Sequence, residues 1–232
     1  MTTATELRFE ASKSAGEVSA LYERPTTARY LMVLGHGAGA GMRHHFMDAA
    51  ASALGAQGIA TFRYQFPYME KKTSRPDPQP ILLSTVRAAV NAAHTIGGDL
   101  PLLAGGKSMG GRMTSLAASE ERLPNVRGLV FFGFPLHAVG APSSNRADHL
   151  DRVFTPMLFL QGTRDKLAEL ELLKPVIERL GSQAAIHIVE GGDHSFAVPK
   201  KSGRTLTDVL DELAQTIASW ADKMTSNRPS RS

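Results

Sequence analysis

From Tyr30 onward, short apolar runs alternate with longer stretches of helical spacing. Tyr30–Leu34, Ile59–Tyr64, Leu102–Ala104, Leu129–Phe132, Met157–Leu160 and Ile186–Val189 are dominated by apolar residues and short, which predicts strands. Between them, His44–Leu54, Ile81–His94, Met109–Ala118, Lys166–Leu180 and Thr205–Ala221 repeat apolar residues three and four apart, which predicts amphipathic helices. Regular alternation of the two predicts a mostly parallel sheet with helices on both faces. Ahead of it, Leu7–Glu10 and Val18–Tyr22 flank the turn Ser14-Ala15-Gly16-Glu17 and predict an antiparallel hairpin at the sheet edge.

Two segments interrupt the rhythm. Gln65–Pro80, with Arg75-Pro76-Asp77-Pro78-Gln79-Pro80, and Pro135–Thr155 are too short to be domains and are expected as rim loops, the second where a lid would sit. One domain over 1–222 is expected, followed by a polar, basic, unpatterned tail over 223–232 that reads as disordered.

Composition narrows the chemistry more than the fold. The 232 residues, 42% of them apolar, fit one domain with its own core. The complete lack of cysteine excludes disulfide scaffolds, thiolate metal sites and every thiolate nucleophile. The net charge of +4 comes from 26 basic and 22 acidic residues interspersed along the chain, a weak bias toward anionic partners with no stripe for nucleic acid. The stretch Met1 to Phe9 has no basic segment followed by an apolar one, and no apolar run reaches membrane-spanning length, so a cytoplasmic protein without a membrane partner is expected.

In open sheets of this kind ligands sit beyond the carboxyl ends of the strands. Leu102-Leu103-Ala104-Gly105-Gly106-Lys107-Ser108-Met109-Gly110-Gly111-Arg112 runs from an apolar strand through Gly-Lys-Ser-Met-Gly into a helix, which matches a nucleophile elbow. Gly106 and Gly110 lack side chains where elements crowd, and Ser108 is presented at a helix N-terminus, where developing negative charge is favoured. A phosphate-binding loop would need its first glycine at Pro101 and would place Leu102 and Leu103 in a loop.

Two readings also meet at Leu34-Gly35-His36-Gly37-Ala38-Gly39-Ala40-Gly41. As Gly35-x-Gly37-x-x-Ala40 it fits a dinucleotide fingerprint, but the following strand ends in Arg63 and Tyr64, so only an NADP variant survives. As a loop after the first main strand it supplies a second oxyanion-hole amide, from Ala38, to pair with that of Met109. His36 is expected to brace this loop. Asp165, after Met157–Leu160, and His194, after Ile186–Val189, complete a Ser108, Asp165, His194 order in which histidine is the general base and aspartate orients it. Asp193 is a weaker candidate for the orienting acid. His44 and His45 should diverge on a helix, which argues against a shared metal, and no metal or cofactor is expected. Phe66, Tyr68, Met69, Phe134 and Leu136 are expected to line the substrate rim, with Arg75 as an attractor for anions.

Gly105–Met113, Arg75–Pro80, Phe134-Pro135-Leu136-His137 and Phe159–Leu167 resemble small bacterial hydrolases of the α/β-hydrolase superfamily, related to dienelactone hydrolases and to the testis-expressed and histone-acetyltransferase-complex proteins of animals. The resemblance spans nearly the whole chain. It implies an α/β-hydrolase fold with a minimal lid, the triad Ser108, Asp165 and His194, and hydrolysis of a small-molecule ester or thioester. Dienelactone hydrolases use a cysteine nucleophile and this chain has none, so their substrate does not carry over. The animal relatives are regarded as complex subunits, which makes a catalytically silent interaction module the alternative. A homodimer through Thr205–Ala221 or an edge strand is left open by the sequence.

Overall fold

A computed structural model of the protein describes residues 3–226. The hairpin is β1 (Thr5–Ser12) and β2 (Gly16–Glu23), followed by β3 (Tyr30–Gly35), α1 (His45–Ala56), β4 (Ile59–Tyr64), the one-turn α2 (Pro67–Glu70) and α3 (Gln79–Gly97). Then come β5 (Leu102–Lys107), α4 (Met109–Glu120), β6 (Val126–Phe132), β7 (Met157–Gly162), α5 (Leu170–Leu180), β8 (Ala184–Val189) and α6 (Leu206–Ser226). The eight strands form one sheet in the order β1-β2-β4-β3-β5-β6-β7-β8. Pairing is antiparallel within the hairpin and between β2 and β4, and parallel elsewhere.

Central strands bury both faces, so their side chains alternate between two apolar cores. On β3, Leu31 and Val33 join the core under α3, α4 and α5, while Tyr30, Met32 and Leu34 join the one under α1 and α6. The chain winds outward from β3 to β4, then returns past β3 to β5 and winds the other way. As a result α1 and α4, which leave the adjacent strands β3 and β5, lie on opposite faces, and a crevice opens between the ends of those two strands.

Three departures from the sequence pattern bear on the site and its surroundings. The helix expected from Lys166 begins at Leu170, because Asp165 holds the preceding turn: its Oδ1 accepts the Leu167 N–H at 2.8 Å. Helix α6 runs on to Ser226, so 223–226 are helical where a tail was expected; Tyr30 and Arg29 bind Asp222, and Met224 packs on the core. The rest of that expected tail, 227–232, lies outside the described residues. The segment expected as a rim loop, with at most a small lid, contains a 3-10 turn over Asn145–Arg152, and Leu136, Ala147, Leu150 and Val153 are fully buried in the core while Val139 and Phe154 stay exposed.

Candidate active site

At the end of β5 the backbone turns sharply into α4, and Ser108 takes φ 50° and ψ −114° there. That left-handed conformation costs a non-glycine residue on the order of 1–3 kcal/mol and survives where the surroundings enforce it. Here the Ser108 N–H is tied to the Phe132 carbonyl at 3.1 Å, and the Ser108 carbonyl accepts the Arg112 N–H at 3.1 Å. The neighbouring glycines are required by space: a Cβ at Gly106 or Gly110 would lie 2.1 or 2.2 Å from the Gly35 carbonyl oxygen. Strand β3 and the elbow therefore touch backbone to backbone.

Asp165 and His194 come from loops after β7 and β8, and the Arg164 N–H to Gly192 carbonyl bond at 2.8 Å ties those loops together. His194 Nδ1–H donates to Asp165 Oδ2 at 2.8 Å, which fixes the tautomer, and the Ser108 hydroxyl donates to His194 Nε2 at 2.9 Å. Asp165 is 2% exposed, and Gln161 Nε2 also donates to its Oδ2 at 2.8 Å. Burial pushes its carboxyl upward. Hydrogen bonding and charge from His194, with the Leu167 and Gln161 amides, outweigh burial and hold it below the usual carboxylate range. Asp193 does not compete, since its Oδ1 accepts the Ser195 and Ala197 N–H groups at 2.8 and 2.9 Å and shapes the histidine loop.

Ala38 sits on the exposed loop after β3 and lines the same cavity as Ser108. Among the described residues, neither its N–H nor that of Met109 donates to a protein acceptor. His36, fully buried, braces the loop: Nε2 accepts the Phe66 N–H at 3.2 Å, so Nδ1 carries the proton donated to the Gly37 carbonyl at 2.7 Å. Burial takes its pKa down to about 4 and keeps it neutral. The Tyr68 hydroxyl accepts the Gly39 N–H at 2.9 Å.

The cavity at Ser108 has a volume of about 510 Å³ and is lined by Ala38 and Ala40 of the loop after β3, Phe46 and Met47 of α1, and Leu167, His194 and Leu206. The residues expected at its rim lie elsewhere. Phe66, Tyr68, Phe134 and Leu136 are buried in the core, Phe66 and Tyr68 acting beneath the loop and not on the substrate side. Met69 packs half-buried near Gly41, and Arg75 is solvent-exposed away from the cavity. Sequence reasoning missed the actual walls, Phe46, Met47 and Leu206, because their helical spacing reads only as core. Arg63, the residue an NADP phosphate would need, is 3% exposed and paired with Glu23 and Asp48. His44 and His45 do not diverge: His44 caps α1, and the two rings lie 4.1 Å apart. Among the described residues no cluster of metal-ligating side chains forms.

A sheet of this order, with its chemistry gathered where strand order reverses, is the architecture of the α/β hydrolases. Residues 28–222 match the model of the alpha/beta hydrolase domain family, and the chain belongs to that family. Similar folds include a dienelactone hydrolase from Anabaena variabilis (TM-score 0.74, 19% identity, covering 94% of this chain and 96% of that one). An alpha-beta serine hydrolase homologue from Coxiella burnetii superposes at 0.72 with 20% identity, over 94% and 97% of the two chains. A serine hydrolase without lid from Xanthomonas campestris superposes at 0.72 with 19% identity, over 95% and 96%. At such identities the likeness is one of fold. No helix among the described residues is long and apolar enough to cross a membrane.

Proposed function

We propose that the protein is a serine hydrolase that cleaves a carboxylic ester or thioester of a small acyl group through an acyl-enzyme on Ser108. The observation that carries this reading is the unbroken hydrogen-bond chain from Ser108 through His194 to Asp165, opening into a cavity. His194 takes the Ser108 proton as Oγ attacks the carbonyl, and Asp165 stabilises the imidazolium without taking its proton. The Ala38 and Met109 amides hold the oxyanion, and each such donor is worth on the order of 10²–10³ in rate. His194 then protonates the leaving group, and water, activated by the same imidazole, releases the acid. Phe46, Met47, Leu167 and Leu206 offer the acyl chain an apolar wall, and no residue of 135–155 lines that cavity. Family membership supports hydrolysis as the reaction class.

The test is labelling with a fluorophosphonate probe, wild type beside Ser108→Ala, followed by p-nitrophenyl esters of increasing chain length. The expected result is labelling lost in the variant and kcat/KM highest for short chains. A folded wild type that takes no label would favour a binding module that has kept the fold without turnover.

A further inference from the structure

Lys107 is the last residue of β5, directly before Ser108, and its side chain turns inward. Its Nζ is buried without a hydrogen-bond partner among the described residues, 5.8 Å from the centroids of both Phe46 and Phe196. An unpaired ammonium in an apolar wall is expensive to keep, and a structural lysine would ordinarily find an acceptor. The groups around it are charged or titratable: Asp165 from the loop after β7, Asp193 and His194 from the loop after β8, and His44 ahead of α1. One position fixes the distances. The point where a Cβ of Gly133 would lie is 3.3 Å from Lys107 Nζ, from Asp165 Oδ2 and from His194 Nδ1, so no two of these are more than twice 3.3 Å, about 6.6 Å, apart.

We propose that Lys107 is a positioning residue whose ammonium opposes the pull of Asp165 on the His194 imidazolium and so sets the pH above which the Ser108–His194 pair is competent. This rests on the serine hydrolase reading. Asp165 alone would favour protonated His194, which cannot accept the serine proton. A cation this close to both the carboxylate and the imidazole weakens that preference, keeping the base free at lower pH in exchange for a weaker base. Lys107 does not act on substrate, because Nζ is sealed from the cavity that its side-chain stem helps to line. Burial draws its own pKa down to about 8, against the opposing pull of Asp165 and Asp193, so it carries its charge at neutral pH and surrenders it in the mildly alkaline range.

The test compares wild type, Lys107→Met and Lys107→Arg. His194 protonation is followed by NMR of ring-labelled histidine, and the acid limb of kcat/KM is followed on p-nitrophenyl acetate. Unit charges no more than about 6.6 Å apart, in an effective protein dielectric of about 20, move a protonation midpoint by roughly two pH units or more. The His194 midpoint and the acid limb should both rise by that amount in Lys107→Met, and Lys107→Arg should restore both. A merely structural lysine would lower kcat/KM at all pH values and leave the limb in place, which would overturn the proposal. If neither variant folds, the wild type decides: His194 should show a second, smaller inflection coincident with the titration of Cε-labelled Lys107, and its absence counts against the proposal. An unmoved midpoint with intact fluorophosphonate labelling sinks this inference alone, whereas a moved midpoint without labelling sinks the hydrolase reading alone.

Discussion

Replacing Lys107 by methionine should make the protein more stable at neutral pH. Burial lowers the lysine pKa from its ordinary 10.5 to about 8, and each unit is worth 1.36 kcal/mol, so charged Lys107 destabilises the fold by about 3 kcal/mol relative to a neutral side chain of its shape. Methionine has nearly the same length, and its sulfur meets Phe46 and Phe196 favourably. For a chain of this size the gain corresponds to a rise in Tm of about 6–12 °C. Its pH dependence identifies the cause. Between about pH 8 and 10.5 the unfolded wild type still holds the lysine proton and the folded form has lost it, so wild-type stability climbs with pH and the advantage of the variant shrinks. Urea unfolding of both proteins at pH 7, 9 and 10.5 measures this. A variant less stable at pH 7, or an advantage unchanged from pH 8 to 10.5, would refute the reasoning. Stability lost to a charge beside the reacting groups is the trade expected where activity needs that charge.

Asp165→Asn should leave the fold intact and lower kcat about 10⁴-fold, as the same exchange does in serine proteases with this arrangement, because the amide favours the wrong His194 tautomer; steady-state kinetics on p-nitrophenyl acetate checks it. Ser108→Gly should abolish probe labelling and raise stability by about 1 kcal/mol, since glycine accepts φ 50° without penalty, and a urea midpoint that falls would contradict the strain argument. Stability should also drop as the solution is acidified from pH 6.5 toward 4. His36 and His149 are buried neutral with pKa values near 4, so the unfolded chain binds protons that the folded one refuses, and their contribution is full above about 6.5 and lost through 4. His149→Gln, which can still meet the Ser115 hydroxyl at the position His149 Nε2 holds at 2.7 Å, should flatten that slope in urea titrations.

The strand-and-helix order was legible because both faces of the sheet are buried, so strands read as apolar runs and helices as amphipathic repeats. The approach of Ser108, Asp165 and His194 to one another was legible because each lies within about five residues of the end of an apolar run and glycines mark the elbow. The positions of Phe66, Tyr68, Phe134 and Leu136 were not, because a large apolar residue in a segment of unclear period looks the same whether it faces a cavity or supports a loop from beneath; only the burial of all four separates the cases. The partial packing of 135–155 was hidden for a similar reason: Ala147, Leu150 and Val153 recur every third residue, but in a single 3-10 turn among charged neighbours, too short a run to separate a buried turn from an exposed loop. Lys107 stood in view inside the elbow motif, but a lysine is assigned to solvent by default, and its isolation follows only from where Phe46 and Phe196 fold over it.

The two halves of the site are held by different means, and that difference bears on how it can vary. The loop bearing Ala38 and the elbow meet backbone to backbone where Gly35 faces Gly106 and Gly110, so the spacing of the Ala38 and Met109 amides, the proposed oxyanion donors, follows from the sheet. His194 rides on a loop shaped by Asp193 and pinned by Phe196, which is fully buried, has φ 63° and stacks on Phe46 at 6.1 Å. Phe46 also lines the cavity, so the ring that would meet the acyl group in the proposed reaction is the ring that packs against the His194 loop. Changing Phe46 would therefore loosen His194 and expose Lys107 at the same time, whereas Met47 and Leu206 line the cavity without being members of that ring pair, so under the proposed reaction they are the positions at which chain-length preference should change with less effect on the Ser108–His194–Asp165 geometry.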